Sequence, residues 1–393
     1  MKKIFARNLT FLSLILLSSC IQENTELFEI DTDNLADREI VLSEIANDII
    51  YIPLEKKFPI GIIYSYEFIN NYIYLSIKDV GVIRFTKSGQ YDKKYGKIGR
   101  GPREYVYCLR FSVDRNNESV YVMDHKMDVI KVYNSNGLYI RTIQLPIDKY
   151  GCGMNDLKYF NSSLIICQYI NMGRGEYNWI ITDTLGNVKK VKKNPYHAFN
   201  GRFGSNGGIY SFKDYIGYWD SCKDTIYKIS ANFNYYAIGR FKTGEQGIPR
   251  NSADYDLGVF NKNKNKYIRS RLLFETNDFF IYKYSLNNAL RLLLIDKSNG
   301  KVKSIVLRKN RRGIINNIDS GIAFNPDIYF ANQKDEEYLV SIIHPFEIIS
   351  RVASETFKIS VPKYPEKKTE LEKLAESLDE NDNPILMLVK LKE

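Results

Sequence analysis

"SVYVMDHKMDVIKVYNSNG", Ser119 to Gly137, carries the pattern that decides the fold. Two short runs, "SVYVMD" and "VIKVYN", are rich in β-branched and aromatic residues and read as strands. They are followed by "NSNG", whose glycine supplies the positive φ of a tight hairpin. Equivalent turns stand at "KSGQ" (Lys87–Gln90), "TLGN" (Thr184–Asn187) and "KSNG" (Lys297–Gly300). Gly89 and Gly137 are 48 residues apart, and Gly137 and Gly186 are 49 apart. A further step lands in "ANFN" (Ala231–Asn234), and Gly300 comes late, which puts an insertion in between. A period near 45–50 residues with four strands in each repeat is the pattern of a β-propeller.

Working outward, five complete four-strand repeats can be laid out. They begin at "IIYSYEFI", "CLRFSVD", "DLKYFNS", "GGIYSF" and "IRSRLLFE". A sixth starts at "GIAFNPDIYF" and "EYLVSII", then loses the pattern. Its third strand is expected in "PILMLVKLK" (Pro384–Lys392), and its fourth in "REIVLSEIANDIIYIPLE" (Arg38–Glu55) at the other end of the chain. Pairing the termini in one blade closes the ring and removes open sheet edges. The expected fold is therefore all-β: a six-bladed β-propeller over 39–393, closed by its N-terminal and C-terminal strands. The stretch 345–383 lacks strand alternation and is expected to be a partly helical insertion in the last blade. Leu371, Leu374, Ala375 and Leu378 lie on one helical stripe after Pro365 and Glu366, which predicts a helix near 366–378 packed over or beside the channel mouth, as a plug over apolar loops or as a ligand-gating lid. Thr243–Lys266 is expected to be an insertion between blades four and five.

The amino end has a different character. Lys2, Lys3 and Arg7 precede an apolar run from Leu9 to Leu17, then Ser18, Ser19 and Cys20. This order of charged, apolar and small residues is that of a secretory signal, expected over 1–19. The run is too short to span a bilayer, which takes roughly 20 apolar residues. "LSSC" (Leu17–Cys20) resembles the bacterial lipobox, which implies lipidation of Cys20 and anchoring to a membrane. Residues 20–38 are polar and acidic and are expected to form a flexible tether. Removing the signal takes away three basic residues and lowers the net charge from +10 to +7. That balance is assigned to a solvated surface, with no nucleic-acid partner. Cys108, Cys152, Cys167 and Cys222 form no CxxC pair, so redox and zinc motifs are unsupported.

"YGKIGRGPREY" (Tyr95–Tyr105), followed by the opening stretch, resembles an NHL repeat. The whole mature chain resembles the six-bladed β-propeller lipoproteins of Bacteroidetes-type bacteria. That resemblance rests also on "LSEIANDIIYIPLE" and "DENDNPILMLVKLK" and covers nearly every residue. It implies an exported outer-membrane lipoprotein, facing the periplasm or the cell surface. It is weak for function, because fold does not fix activity.

Loops from each outer strand to the next inner strand share one face with the loops between middle strands. On that face fall Arg100, Arg103, Glu104, Asp124, His125, Arg174, Tyr177, His197, Trp219 and Asp220. Arginine and aromatic groups there suit a carboxylate, a phosphate or a stacked sugar. The leading expectation is a non-catalytic binding or scaffolding propeller with a protein, peptide or glycan ligand, and with no catalytic residue, metal or cofactor. The alternative is a metal-dependent hydrolase or lyase, lactonase-like or NHL-lyase-like. It would use zinc on His125, His197 and His344, or calcium on groups such as Glu104, Asp124, Asn171 and Asp220. No GxSxG, HExxH or P-loop is present.

Overall fold

The computed structural model describes residues 28–32, 35–145, 154–168, 177–194, 207–220, 225–248, 262–308 and 312–392. Six four-stranded antiparallel units follow one another around a ring. Their inner strands are Ile63–Ile69, Cys108–Val113, Met154–Phe160, Gly207–Phe212, Arg269–Glu275 and Ile328–Ala331. Strand sequences follow from position in a blade. Middle strands are covered on both faces by neighbouring blades, so Val120–Asp124 is buried throughout. In the outer strand Val188–Lys193, "VKKVKK", Lys189 and Lys193 are exposed and both valines half-buried, while Lys192 is buried with its ammonium 5.5 Å from the Trp179 ring centroid.

The sixth blade joins the two ends of the chain as the sequence predicts. Ala46–Pro53 pairs antiparallel with Ile385–Leu391, with Ile49 opposite Val389 and Tyr51 opposite Met387. Ile385–Leu391 pairs in turn with Glu337–Ile343. Across the seam between the last blade and the first, Phe330 and Phe68 stack with centroids 4.4 Å apart.

The segment read as a tether is in part a strand. Phe28–Asp31 adds to blade four in parallel, with Ile30 opposite Phe241, making that sheet five-stranded. Ile30 is fully buried and Phe28 packs on Phe280 at 5.6 Å. Burying an isoleucine stabilises by about 1.5–3 kcal/mol and, together with the Phe28 contact and the pairing to blade four, holds a short stretch whose acidic neighbours conceal the alternation "FEI". The strand also covers the exposed edge of blade four. From there the chain crosses blade five, where Arg38 N–H donates to Ser304 O at 2.9 Å, and enters blade six. The signal segment and Cys20 lie outside the described residues.

The insertion in blade six contains three helices: α1 (Pro345–Ala353), α2 (Glu355–Lys358) and α3 (Pro365–Ser377). The expected leucine stripe lies on α3, with Leu371 buried and Leu374, Ala375 and Leu378 packed partly against the same core. Its partner is the segment preceding the sixth inner strand. Lys363 and Tyr364 N–H donate to Asn317 O and Ile318 O at 2.8 and 3.0 Å. Arg351 donates to Ser320 O at 2.7 Å through Nη2. Lys367 bridges to Asp48 on the closing strand at 2.9 Å. Among the described residues, none of those lining the channel belongs to this insertion. The helix therefore sits beside the mouth and seals blade six. Between blades four and five, two short 3-10 turns occupy Gly244–Gln246 and Lys264–Lys266; residues 249–261 lie outside the described set. No described helix is long and apolar enough to cross a membrane.

Candidate functional site

The inner strands surround a cavity of about 1020 Å³ along the ring axis. Its mouth is built by a recurrent irregularity. Where four inner strands begin, pairing with the second strand slips by one residue, at Tyr64, Leu109, Asn155 and Arg271. A bulge of this kind re-aims neighbouring side chains and concentrates beside functional sites. Blade four has no slip there; it begins with Gly207 and Gly208, which pair with Asp220 and Trp219. The mouth consequently carries, in blade order, Tyr64 and Tyr66, then Arg110, Asp156, Gly207 and Gly208, Arg271 and Asp327, all lining the cavity. Blades two and five are opposite in a ring of six, so Arg110 faces Arg271; blades three and six oppose Asp156 to Asp327.

Arg110 is held from three sides. Its Nη1 donates to Tyr64 O at 2.9 Å and to Leu109 O at 3.0 Å, and its Nε lies 3.4 Å from Asp156 Oδ1. Asp156 also accepts from Leu157 N at 2.9 Å and Ile209 N at 3.3 Å. Across the ring, Asp327 pairs with buried Lys283 at 2.7 Å. Tyr64 and Tyr107 meet edge to face at 5.6 Å, their hydroxyls 3.3 Å apart. That contact raises the Tyr64 hydroxyl to about 12, so it stays a neutral phenol. Deeper in the channel, Glu67 accepts from Ser112 Oγ, Val113 N and Lys158 Nζ.

The residues singled out from sequence distribute unevenly around this mouth. Trp219 lines the cavity beside Gly208. His125 does not line the cavity: its ring lies against Tyr107 at 6.5 Å and its backbone N–H donates to Tyr107 O at 2.9 Å, and Tyr107 in turn meets the lining residue Tyr64. Burial, helped by nearby Arg110, lowers the His125 pKa to about 4. The imidazole is therefore neutral near pH 7, and its buried Nε2 has no hydrogen-bond partner. Asp124 accepts from Val106, Tyr107 and Lys126 N–H and fastens this corner. Glu104 instead folds its own loop, accepting from Gly101 N at 2.8 Å and pairing with Lys97 at 3.0 Å. A Cβ on Gly99 would come within 1.9 Å of the Glu104 carboxylate, so "GRGPRE" wraps a glutamate. Arg100 and Arg103 are exposed on that loop, and Tyr133 OH donates to Arg103 O at 2.9 Å. The loop is thus tied to blade two, and neither arginine lines the cavity. Tyr177 is buried at the start of the third strand of blade three. Asp220 ends the second strand of blade four. Arg174, His197 and Asn171 lie outside the described residues.

Sequence reading missed Arg110, Asp156 and Arg271, because a bulge leaves no mark in hydrophobic alternation, and Asp327, which stands just before the sixth inner strand. Among the described residues no group of three or more His, Cys, Asp or Glu side chains is arranged to hold a metal. Cys108 and Cys167 are buried within strands, and burial pushes the Cys108 thiol up to about 12.

Among solved structures, the chain is similar to the "Putative exported protein (BF0058)" of Bacteroides fragilis. The TM-score is 0.69 at 16% identity, covering 93% of this chain and 100% of that one. It is similar also to a member of the duf4221 family from Bacteroides vulgatus. Here the TM-score is 0.52 at 12% identity, covering 88% of this chain and 97% of that one. At such identities the likeness is one of fold. No curated protein matches it. Residues 26–390 match a single family, and the chain belongs to it: Domain of unknown function (DUF4934).

Proposed function

We propose that the chain is an exported lipoprotein, anchored to the outer membrane through lipid on Cys20, whose propeller binds a ligand at the channel mouth without catalysing its conversion. The observation that carries the binding reading is the set of inner-strand slips at Tyr64, Leu109, Asn155 and Arg271. Four blades give up regular pairing at the same level, and the side chains re-aimed there converge on one polar, aromatic-edged opening. "LSSC" and the fold shared with the Bacteroides fragilis protein support export and anchoring. The ligand is a peptide or glycan presented outside the cytoplasm.

Two measurements test this. Cys20→Ala should move the protein from the detergent phase to the soluble fraction; persistent detergent partition overturns the anchor. Purified mature protein screened on glycan and peptide arrays should give hits that Tyr64→Ala or Trp219→Ala weakens at least tenfold. Arrays without a hit overturn the binding reading. Stoichiometric zinc or calcium in the purified protein would overturn the non-catalytic one.

A further inference from the structure

We infer that the ligand taken at the mouth carries a carboxylate, received between Arg110 and Arg271. This rests on the binding reading above and narrows it. Hydrogen-bonding capacity decides the point. Asp156 is spent on two backbone N–H groups and on Arg110, and one Asp327 oxygen is spent on Lys283. Arg110 has its Nη1 and Nε occupied, and among the described residues no group takes up its Nη2. Clamped by two carbonyls and a carboxylate, this guanidinium is oriented in advance, so little rotamer freedom is lost on binding. Its side chain keeps 35% exposure, and Nη2 presents two N–H groups for a charge-assisted contact. The buried Ser65 hydroxyl, which lines the same cavity, also lacks a partner.

Charge sets the class of anion. At the rim Arg110 and Arg271, with Lys283 behind Asp327, stand beside Asp156 and Asp327; along the rest of the channel Arg115, Lys158 and Lys213 stand beside Glu67, Asp114, Asp335 and Glu337, so cations and carboxylates nearly balance. A monoanion meets this balance, whereas a dianion such as a phosphate monoester also meets the two aspartates. Tyr64, Tyr66 and Trp219 supply a wall for the uncharged remainder of the ligand. Asp156 acts as a positioning residue for Arg110.

A carboxylate can come from an acidic saccharide or from a peptide C-terminus, and calorimetric titration of the mature chain distinguishes them. The probes are the monoanion methyl galacturonoside with its methyl ester, and an N-acetylated tripeptide of uncharged residues with its C-terminal amide. The acid form of one pair should bind at least tenfold more tightly than its neutral form. Arg110→Gln and the exposed-site variant Arg271→Gln should each reduce that ratio. Asp156→Asn should weaken acid binding more than neutral binding. Equal binding of acid and neutral forms overturns the inference and leaves the mouth as a binding site. Absence of binding by both acids overturns it as well, and the array result then decides separately whether the mouth binds at all. If Arg110→Gln does not fold, Arg271→Gln carries the test; an unchanged ratio there counts against the inference.

Discussion

Lys158, on the inner strand of blade three, reaches over blade two to Glu67 on the inner strand of blade one, Nζ to Oε1 2.8 Å. The same carboxylate accepts from Ser112 Oγ and Val113 N in blade two, each at 2.9 Å, so one glutamate ties three successive blades. Removing one partner of a buried charge network leaves the others unsatisfied, at a cost of about 3–5 kcal/mol. Glu67→Ala should lower the free energy of unfolding by that order, and with it the denaturation midpoint, and Glu67→Gln, which keeps an acceptor, by clearly less. Equal midpoints for the wild type and Glu67→Ala would show that the tie contributes nothing.

Closure of the ring depends on the strand formed by the last residues of the chain. Val389 is fully buried and pairs on both sides, with Ile49 and with Leu339. Proline there removes a ladder donor in the middle of a sheet, a position from which it is essentially excluded. We expect Val389→Pro to give insoluble or protease-sensitive protein, with Val389→Ile close to wild type in limited proteolysis.

The His125 environment gives stability a definite pH dependence. Its folded pKa of about 4 lies below the ordinary 6.5, so the unfolded chain takes up this proton first. Above pH 6.5 the group has no effect. As pH falls from 6.5 towards 4, stability should decline by roughly 1–3 kcal/mol, and below 4 the loss is constant. Asp124 and Arg110 are the charged groups that bear on it, with Arg110 opposing the imidazolium. His125→Gln should flatten the difference in melting temperature between pH 7 and pH 4.5. A wild-type profile identical to that of the variant would contradict the burial of this ring.

These residues also show what the sequence could and could not convey. Strand positions were legible because the β-branched and aromatic run "SVYVMD" answers directly to burial on both faces. The pairing of Ala46–Pro53 with Ile385–Leu391 followed from the need to close a ring whose last blade lacked two strands. The mouth was only partly legible: His125 and Trp219 belong to it or adjoin it, whereas Arg110 stood unnoticed inside "CLRFSVD". A one-residue slip changes where Arg110 points without changing any residue type. Its opposition to Arg271 exists only once six blades are counted round a ring. Phe28–Asp31 escaped for a different reason, since the gain from one buried isoleucine is invisible within an acidic stretch.

Helix α3 offers the last test, because its position separates a seal from a gate. Leu371 is fully buried, and a Cβ added to Gly321 would lie 2.7 Å from its Cδ2 and 3.0 Å from Tyr51 Oη. Tyr51 in turn donates to Asp319 at 2.7 Å, and Asp319 accepts from Gly321 N at 2.7 Å. The leucine, the glycine and this buried hydrogen-bonded pair therefore form one tightly packed joint on blade six. Leu371→Ala should cost about 2–5 kcal/mol through the cavity it leaves, and Gly321→Ala about 1–3 kcal/mol through overpacking. Neither should alter ligand affinity at the mouth by more than twofold, because the insertion contributes no cavity-lining residue among those described. Denaturant melts and titrations on the same preparations check both halves of the expectation. A Leu371→Ala protein with unchanged stability and altered affinity would make α3 a gate.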